Sequence, residues 1–168
     1  SMSDRDPAQV ARIAVAALQR SGQRGLLATG WEGLHADALP ADVLRIDGAP
    51  HDWLFPRVAA VVHHGGVGTT AAALRAGVPQ IVVPFSADQP LWAELVHRRG
   101  VGTRPIPRRR LDAPRLAHAI GAAVQDPDLR RRVQRVAAAL RQEDGIGKAV
   151  EIVRKIGKEA LATTQSIR

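Results

Sequence analysis

The chain of 168 residues contains no cysteine and no tyrosine. Without thiols, neither a disulfide nor a thiolate metal site can form, so disulfide-stapled secreted scaffolds are excluded and a cytoplasmic setting is expected. Aromatics are scarce, with three Trp and two Phe. None lies among the arginine runs to stack on bases, so nucleic acid is not an expected partner. No apolar run approaches the roughly 18 residues of a membrane span, and no secretory leader pattern opens the chain. What is present, 45% hydrophobic and 24% charged residues, suits one soluble globular domain.

The net charge of +8 is lopsided. From Arg104 onward there are 15 Lys/Arg against 7 Asp/Glu, whereas the preceding residues carry 9 of each. The runs "PRRRL" and "DLRRRVQRV" read as solvated basic helix faces, with contact to an anionic membrane surface as an alternative.

Punctuation residues divide the chain. Asp6 and Pro7 open a helix that Gly22 stops, with Val10, Ile13, Ala14, Ala17 and Leu18 on its apolar face. "GLLAT", "DVLRID", "VAAVVH" and "QIVVPF" have strand length and little polar alternation, which predicts a parallel sheet buried on both faces. Between them lie a long connection from Trp31 to Ala41, a helical turn "PHDWLFPRV" with Asp52 as its cap, and a helix "TTAAALRAG" ending at Gly77. Asp88 is the expected cap of the next helix, which stops at Gly100 before the extended "VGTRPIP". "DAPRLAHAIGAAVQ" and "DPDLRRRVQRVAAALRQ", each with Asp and Pro near its start, read as two further helices, and a last helix covers about Ile146 to Ala160. The pattern is α/β, with helices on both faces of the sheet and a helical C-terminal third.

The stretch "VVHHGGVGTT", Val61 to Thr70, ends a strand and opens a helix, the place where ligands bind in such sheets. Metal binding is disfavoured, because consecutive histidines in an extended segment point to opposite faces. A dinucleotide fingerprint fits Gly66, Gly68 and Ala71, with Asp88 downstream, but it normally opens its domain. A P-loop lacks its lysine. A phosphate or diphosphate held by backbone N–H groups at a helix N-terminus is the remaining reading. His63 is expected to face that anion and His64 the protein. Trp53 and Trp92 are assigned to packing.

The segment from Ala49 to Gly102, with HHGG-GTT, AGVP, PF--DQP and GVG in order, resembles the signature region of family 1 glycosyltransferases, closest to sterol glucosyltransferase-like and glycopeptide-antibiotic enzymes. The resemblance implies the C-terminal, donor-binding half of a GT-B enzyme, with a Rossmann-like sheet and the acceptor domain and its catalytic base lying outside residues 1–168. It implies diphosphate binding by His63, Gly66, Val67, Gly68 and Thr69, sugar binding by Asp88 and Gln89, and a nucleobase flanked by Trp31, Ala49 and His51. It further implies a UDP- or dTDP-sugar as donor, a lipophilic hydroxyl compound as acceptor, and no cofactor or metal. Gly48 and Ala71 stand where plant members carry the base-stacking Trp and the ribose-binding Glu, so UDP and dTDP both stay open. Members also place a strand directly before the match. Its absence would leave an open sheet position, with poor order near Ser1 to Pro7 or dimerisation through the gap as the expected result.

Overall fold

The computed structural model describes residues 7–28 and 39–165, and side chains for residues 8–28 and 39–157. Asp6 and Trp31 lie outside the described residues. The order is α1 (Pro7–Ser21), β1 (Gly25–Ala28), β2 (Val43–Ile46), α2 (His51–Leu54) continuing into a 3-10 turn at Phe55–Arg57, β3 (Val61–His63), α3 (Val67–Ala76) and β4 (Gln80–Val82). Then follow α4 (Gln89–Arg98), a 3-10 turn at Arg108–Arg110, α5 (Ala113–Gln125), α6 (Pro127–Arg141) and α7 (Gly145–Gln165).

The sheet is parallel, as expected, but it is divided. β1 pairs with β2 and β3 with β4, and no ladder joins the two pairs among the described residues. The segment after α4 completes the second pair on its far side: Gly102 bridges to Gln80, Thr103 N–H donates to the Gln80 carbonyl and Ile106 N–H to that of Val82. β4 is shorter than "QIVVPF" because Pro84 has no N–H to continue the ladder. Among the described residues no strand pairs with the edge of β3 that faces away from β4, and the Val62 side chain is 45% exposed.

Alternation along β4 sends Ile81 and Val83 to one face and Val82 to the other. The first face is covered by α1 and α5, through Ala17, Leu116, Ala119, Ile120 and Ala123. The second is covered by α4 and α6, through Ala93, Val96 and Val133, while Phe55, Ala73 and Val78 form a neighbouring cluster beneath α3. Helices therefore clothe both faces of the β3–β4 pair.

Helix ends follow local chemistry. Asp112 accepts the Arg115 N–H and Asp126 those of Asp128 and Leu129, each beside a proline in the first turn. Gly22, Gly77 and Gly100 stop α1, α3 and α4 in the left-handed region. Of two further expected caps, one is corrected and one holds in position only. Asp52 is inside α2, which begins at His51, so its carboxylate takes only the adjacent Trp53 N–H. Asp88 occupies the cap position of α4 with helical backbone angles, from which its carboxylate makes no cap bond.

Part of the basic third serves the fold. Arg132 Nε donates to the Gly100 carbonyl behind α4, and Arg141 donates to the Arg75 carbonyl at the end of α3. Both arginines come from α6, and both sit where a helix dipole favours a cation. α7 instead leaves Ile146, Val150, Ile152, Val153 and Ile156 exposed. Among the described residues no helix is long and apolar enough to cross a membrane.

Candidate functional site

Two loops leave the carboxyl ends of β3 and β4 and enter α3 and α4. The first carries the glycines. Gly66 is the N-cap residue of α3 with no side-chain cap, and the first helical bond runs from Thr70 N–H to the Gly66 carbonyl. The N–H groups of Val67, Gly68 and Thr69 are therefore the orphan donors of the first turn, and no acidic side chain stands in that turn. A Cβ built on Gly68 would meet no atom within 4 Å, so the helix start is open to an approaching ligand. This is an anion-binding arrangement in both hydrogen bonding and dipole.

His63, expected at the anion, has both ring nitrogens engaged within the protein. Gly65 N–H donates to Nδ1 at 3.1 Å, and Nε2 stands 2.8 Å from Gln80 Oε1. An Nδ1 that accepts must be bare, so the proton sits on Nε2 and is donated to Gln80. Burial lowers the His63 pKa from 6.5 to about 4; the Gln80 bond pulls upward, and His64 and His51 push further down. Contact with an anion would require one of these two bonds to break.

His64 was expected to face the protein, and the structure corrects this. His64 lies past the end of β3, is exposed, and has no hydrogen-bond partner among the described residues. Its Nε2 lies 2.5 Å from where a Cβ on Gly66 would be, so the imidazole rests over the loop beside the open N-terminus of α3. The signal that could have found it is strand length: β3 ends at His63, so the alternation that orients His63 does not govern His64.

The second loop is closed by Gln89, which is 6% exposed; its Oε1 accepts the N–H groups of Phe85 at 2.8 Å and Ser86 at 3.2 Å. Its carbonyl oxygen is therefore committed to the backbone, leaving only the amide NH₂ for the expected sugar contact. Asp88 is exposed, and its Oδ2 accepts the Trp92 indole N–H at 2.8 Å. Trp92, assigned to packing, thus also orients the Asp88 carboxylate, whose other oxygen remains open. Ala87, with φ 55°, is the one left-handed non-glycine residue among those described, a strained conformation of the kind that clusters at binding loops. The loops touch at Gly65: a Cβ there would fall 2.8 Å from Val82 Cγ1 and 3.2 Å from the Gln89 carbonyl oxygen.

Of the residues expected around a nucleobase, Ala49 lies just before α2, half-buried, and His51 opens that helix with its ring stacked on Phe55 at 4.4 Å. Leu54 and Phe55 pack in one cluster with Ala72 and Ala73, which places α2 against the helix that the glycine loop opens. Trp53, also assigned to packing, is 56% exposed and carries the Arg57 guanidinium over its ring at 4.7 Å. α2 buries none of its residues fully. No group of three or more metal-ligating side chains occurs among the described residues.

Residues 30–157 match the family described as "Erythromycin biosynthesis protein CIII-like, C-terminal domain". A sterol 3-beta-glucosyltransferase of Arabidopsis thaliana is 46% identical over 90% of this chain, which corresponds to 24% of that protein. An O-mycaminosyltylonolide 6-deoxyallosyltransferase of Streptomyces fradiae is 45% identical over 86% of this chain and 33% of its own length. The chain thus spans a quarter to a third of these relatives. Among solved structures, the kitacinnamycin glycosyltransferase superposes with a TM-score of 0.78 at 26% identity, covering 92% of this chain and 40% of that one. VinC, a glycosyltransferase in complex with dTDP, gives 0.64 at 28% identity, covering 71% and 31%. With the parallel strands clothed by helices and the open glycine loop at their carboxyl ends, this match establishes that the chain belongs to the EryCIII-like C-terminal domain family of glycosyltransferases.

Proposed function

We propose that residues 1–168 form the donor-binding domain of an inverting glycosyltransferase, taking a UDP- or dTDP-sugar. The observation that carries this is the unbonded first turn of α3, with His64 exposed beside it, at the carboxyl ends of the parallel strands. The diphosphate lies against the Gly66, Val67, Gly68 and Thr69 amides and His64. The open oxygen of Asp88 accepts from a sugar hydroxyl, joined by the Gln89 NH₂, and the Ala49–His51 segment flanks the base. As the glycosidic bond to the diphosphate breaks, these donors and the dipole stabilise the departing charge, so no metal ion is required.

The attacking hydroxyl belongs to a lipophilic acceptor, a sterol or a natural product, as the names of the relatives suggest. It is deprotonated by a base in a separate domain of the whole enzyme, in the cytoplasm. The 168-residue chain alone binds donor and does not transfer sugar. Calorimetric titration with UDP, dTDP and their glucose conjugates tests the reading. We expect binding that persists in EDTA and weakens about tenfold or more in His64→Ala, the loss of one charge-assisted hydrogen bond. No binding of any of the four, alongside steeply salt-dependent binding of RNA to the basic third, would overturn it.

A further inference from the structure

The glycine loop is held in shape by a polar pair that packing alone does not require. Gln80, the first residue of β4, is wholly buried. Its backbone is tied on both edges, in register with Val61 on one side and bonded to Val101 and Thr103 on the other. Its Oε1 receives the His63 Nε2 proton, while its own Nε2 is buried without a partner among the described residues. The orientation of the amide thus serves the imidazole and leaves its own donor unmet. Two aliphatic side chains would fill these positions without an orphan donor, so the pair is locally unfavourable and is explained by what it does next.

What it does next is hold Gly65. This residue is buried, left-handed at φ 95°, and wedged between Val82 and the Gln89 backbone. Its N–H points back to His63 Nδ1 and has no other acceptor among the described residues. A relay therefore runs from the rigid strand β4 through Gln80 and His63 to the residue at which the chain turns toward the α3 amides. We propose that His63 is a positioning residue, which together with Gln80 locks Gly65 and so sets where the α3 amides and His64 meet the donor diphosphate. The imidazole stays neutral at physiological pH, as an acceptor for Gly65 must.

This inference rests on the diphosphate reading for its consequence but not for its test. In the ligand-free protein, ¹⁵N spectra should show His63 with Nδ1 bare and Nε2 protonated, and the Gly65 amide should be protected from hydrogen exchange. His63→Ala should expose that amide. His63→Asn, whose Oδ1 takes the place of Nδ1, should restore protection, and Gln80→Leu should weaken it partially; guanidinium unfolding establishes that each variant is folded. With UDP as probe, His63→Ala should lose about tenfold in affinity and His63→Asn should stay within about threefold. An amide that stays protected in folded His63→Ala overturns the positioning role whether or not UDP binds. So does a His63 tautomer or Nε2 environment that changes on UDP binding, since that marks a direct ligand. Failure of UDP to bind while the amide behaves as described overturns only the diphosphate reading.

Discussion

The two loops at the carboxyl ends of β3 and β4 solve one problem by different means. Each must leave a parallel strand and enter a helix within a few residues. The loop after β3 does so with glycine and an imidazole that receives one amide from outside. The loop after β4 uses no glycine; a buried carboxamide reaches back from the first residue of α4 to take two amides, and Ala87 absorbs the left-handed turn. The first clip depends on a proton not being present, and the second does not depend on pH at all. The glycine loop is thus conditionally rigid, while its neighbour is unconditionally so.

The comparison is broken most severely at the point where the loops meet. Gly65→Ala combines a left-handed φ with a Cβ at 2.8 Å from Val82 Cγ1, and should lose about 3 kcal/mol or more in urea unfolding. Acid acts on the first clip alone. Unfolded His63 binds a proton near pH 6.5 and folded His63 near pH 4, so between these values the unfolded chain holds more protons and stability rises with pH. Lowering the pH from 6.5 to 4 should therefore remove stability on the order of 3 kcal/mol through His63, levelling below pH 4, and denaturation curves of His63→Asn should lack that part of the slope. Gln89→Leu strands two amides and should lose about 2 kcal/mol at every pH, whereas Gln89→Glu, which still accepts both, should unfold at a similar denaturant concentration. The smallest effect is expected at the exposed rim. Trp92→Phe should change stability by less than about 1 kcal/mol, yet weaken UDP-glucose relative to UDP in calorimetry because Asp88 is no longer oriented.

Much of this was legible in local sequence. Asp112 and Asp126 cap their helices because the signal, an acid before a proline-led helix, acts within three residues. The run from strand through glycines to helix was legible for the same reason, and the order of motifs carried the family. What stayed hidden depends on partners distant in sequence. Nothing in "VVHH" shows that Gln80, seventeen residues on, will take the His63 proton and so leave His64 as the exposed histidine. Asp88 is the N-cap residue of α4 by position, but an indole one turn along takes its carboxylate, and with helical backbone angles it makes no side-chain cap bond. The division of the sheet was invisible too, since strand composition reports burial and not which edges meet.

That division has a consequence for how the molecule yields under attack. Strands β1 and β2 are four residues each and leave Leu26 and Leu44, neighbours in register, 44% and 61% exposed. A two-stranded pair of this size is marginal by itself and opens at free energies well below that of the whole domain. The candidate site belongs instead to the other pair, packed on both faces. A bound nucleotide would therefore shield residues 61–103 from proteases in proportion to its occupancy while leaving the flank around β1 and β2 as cleavable as before.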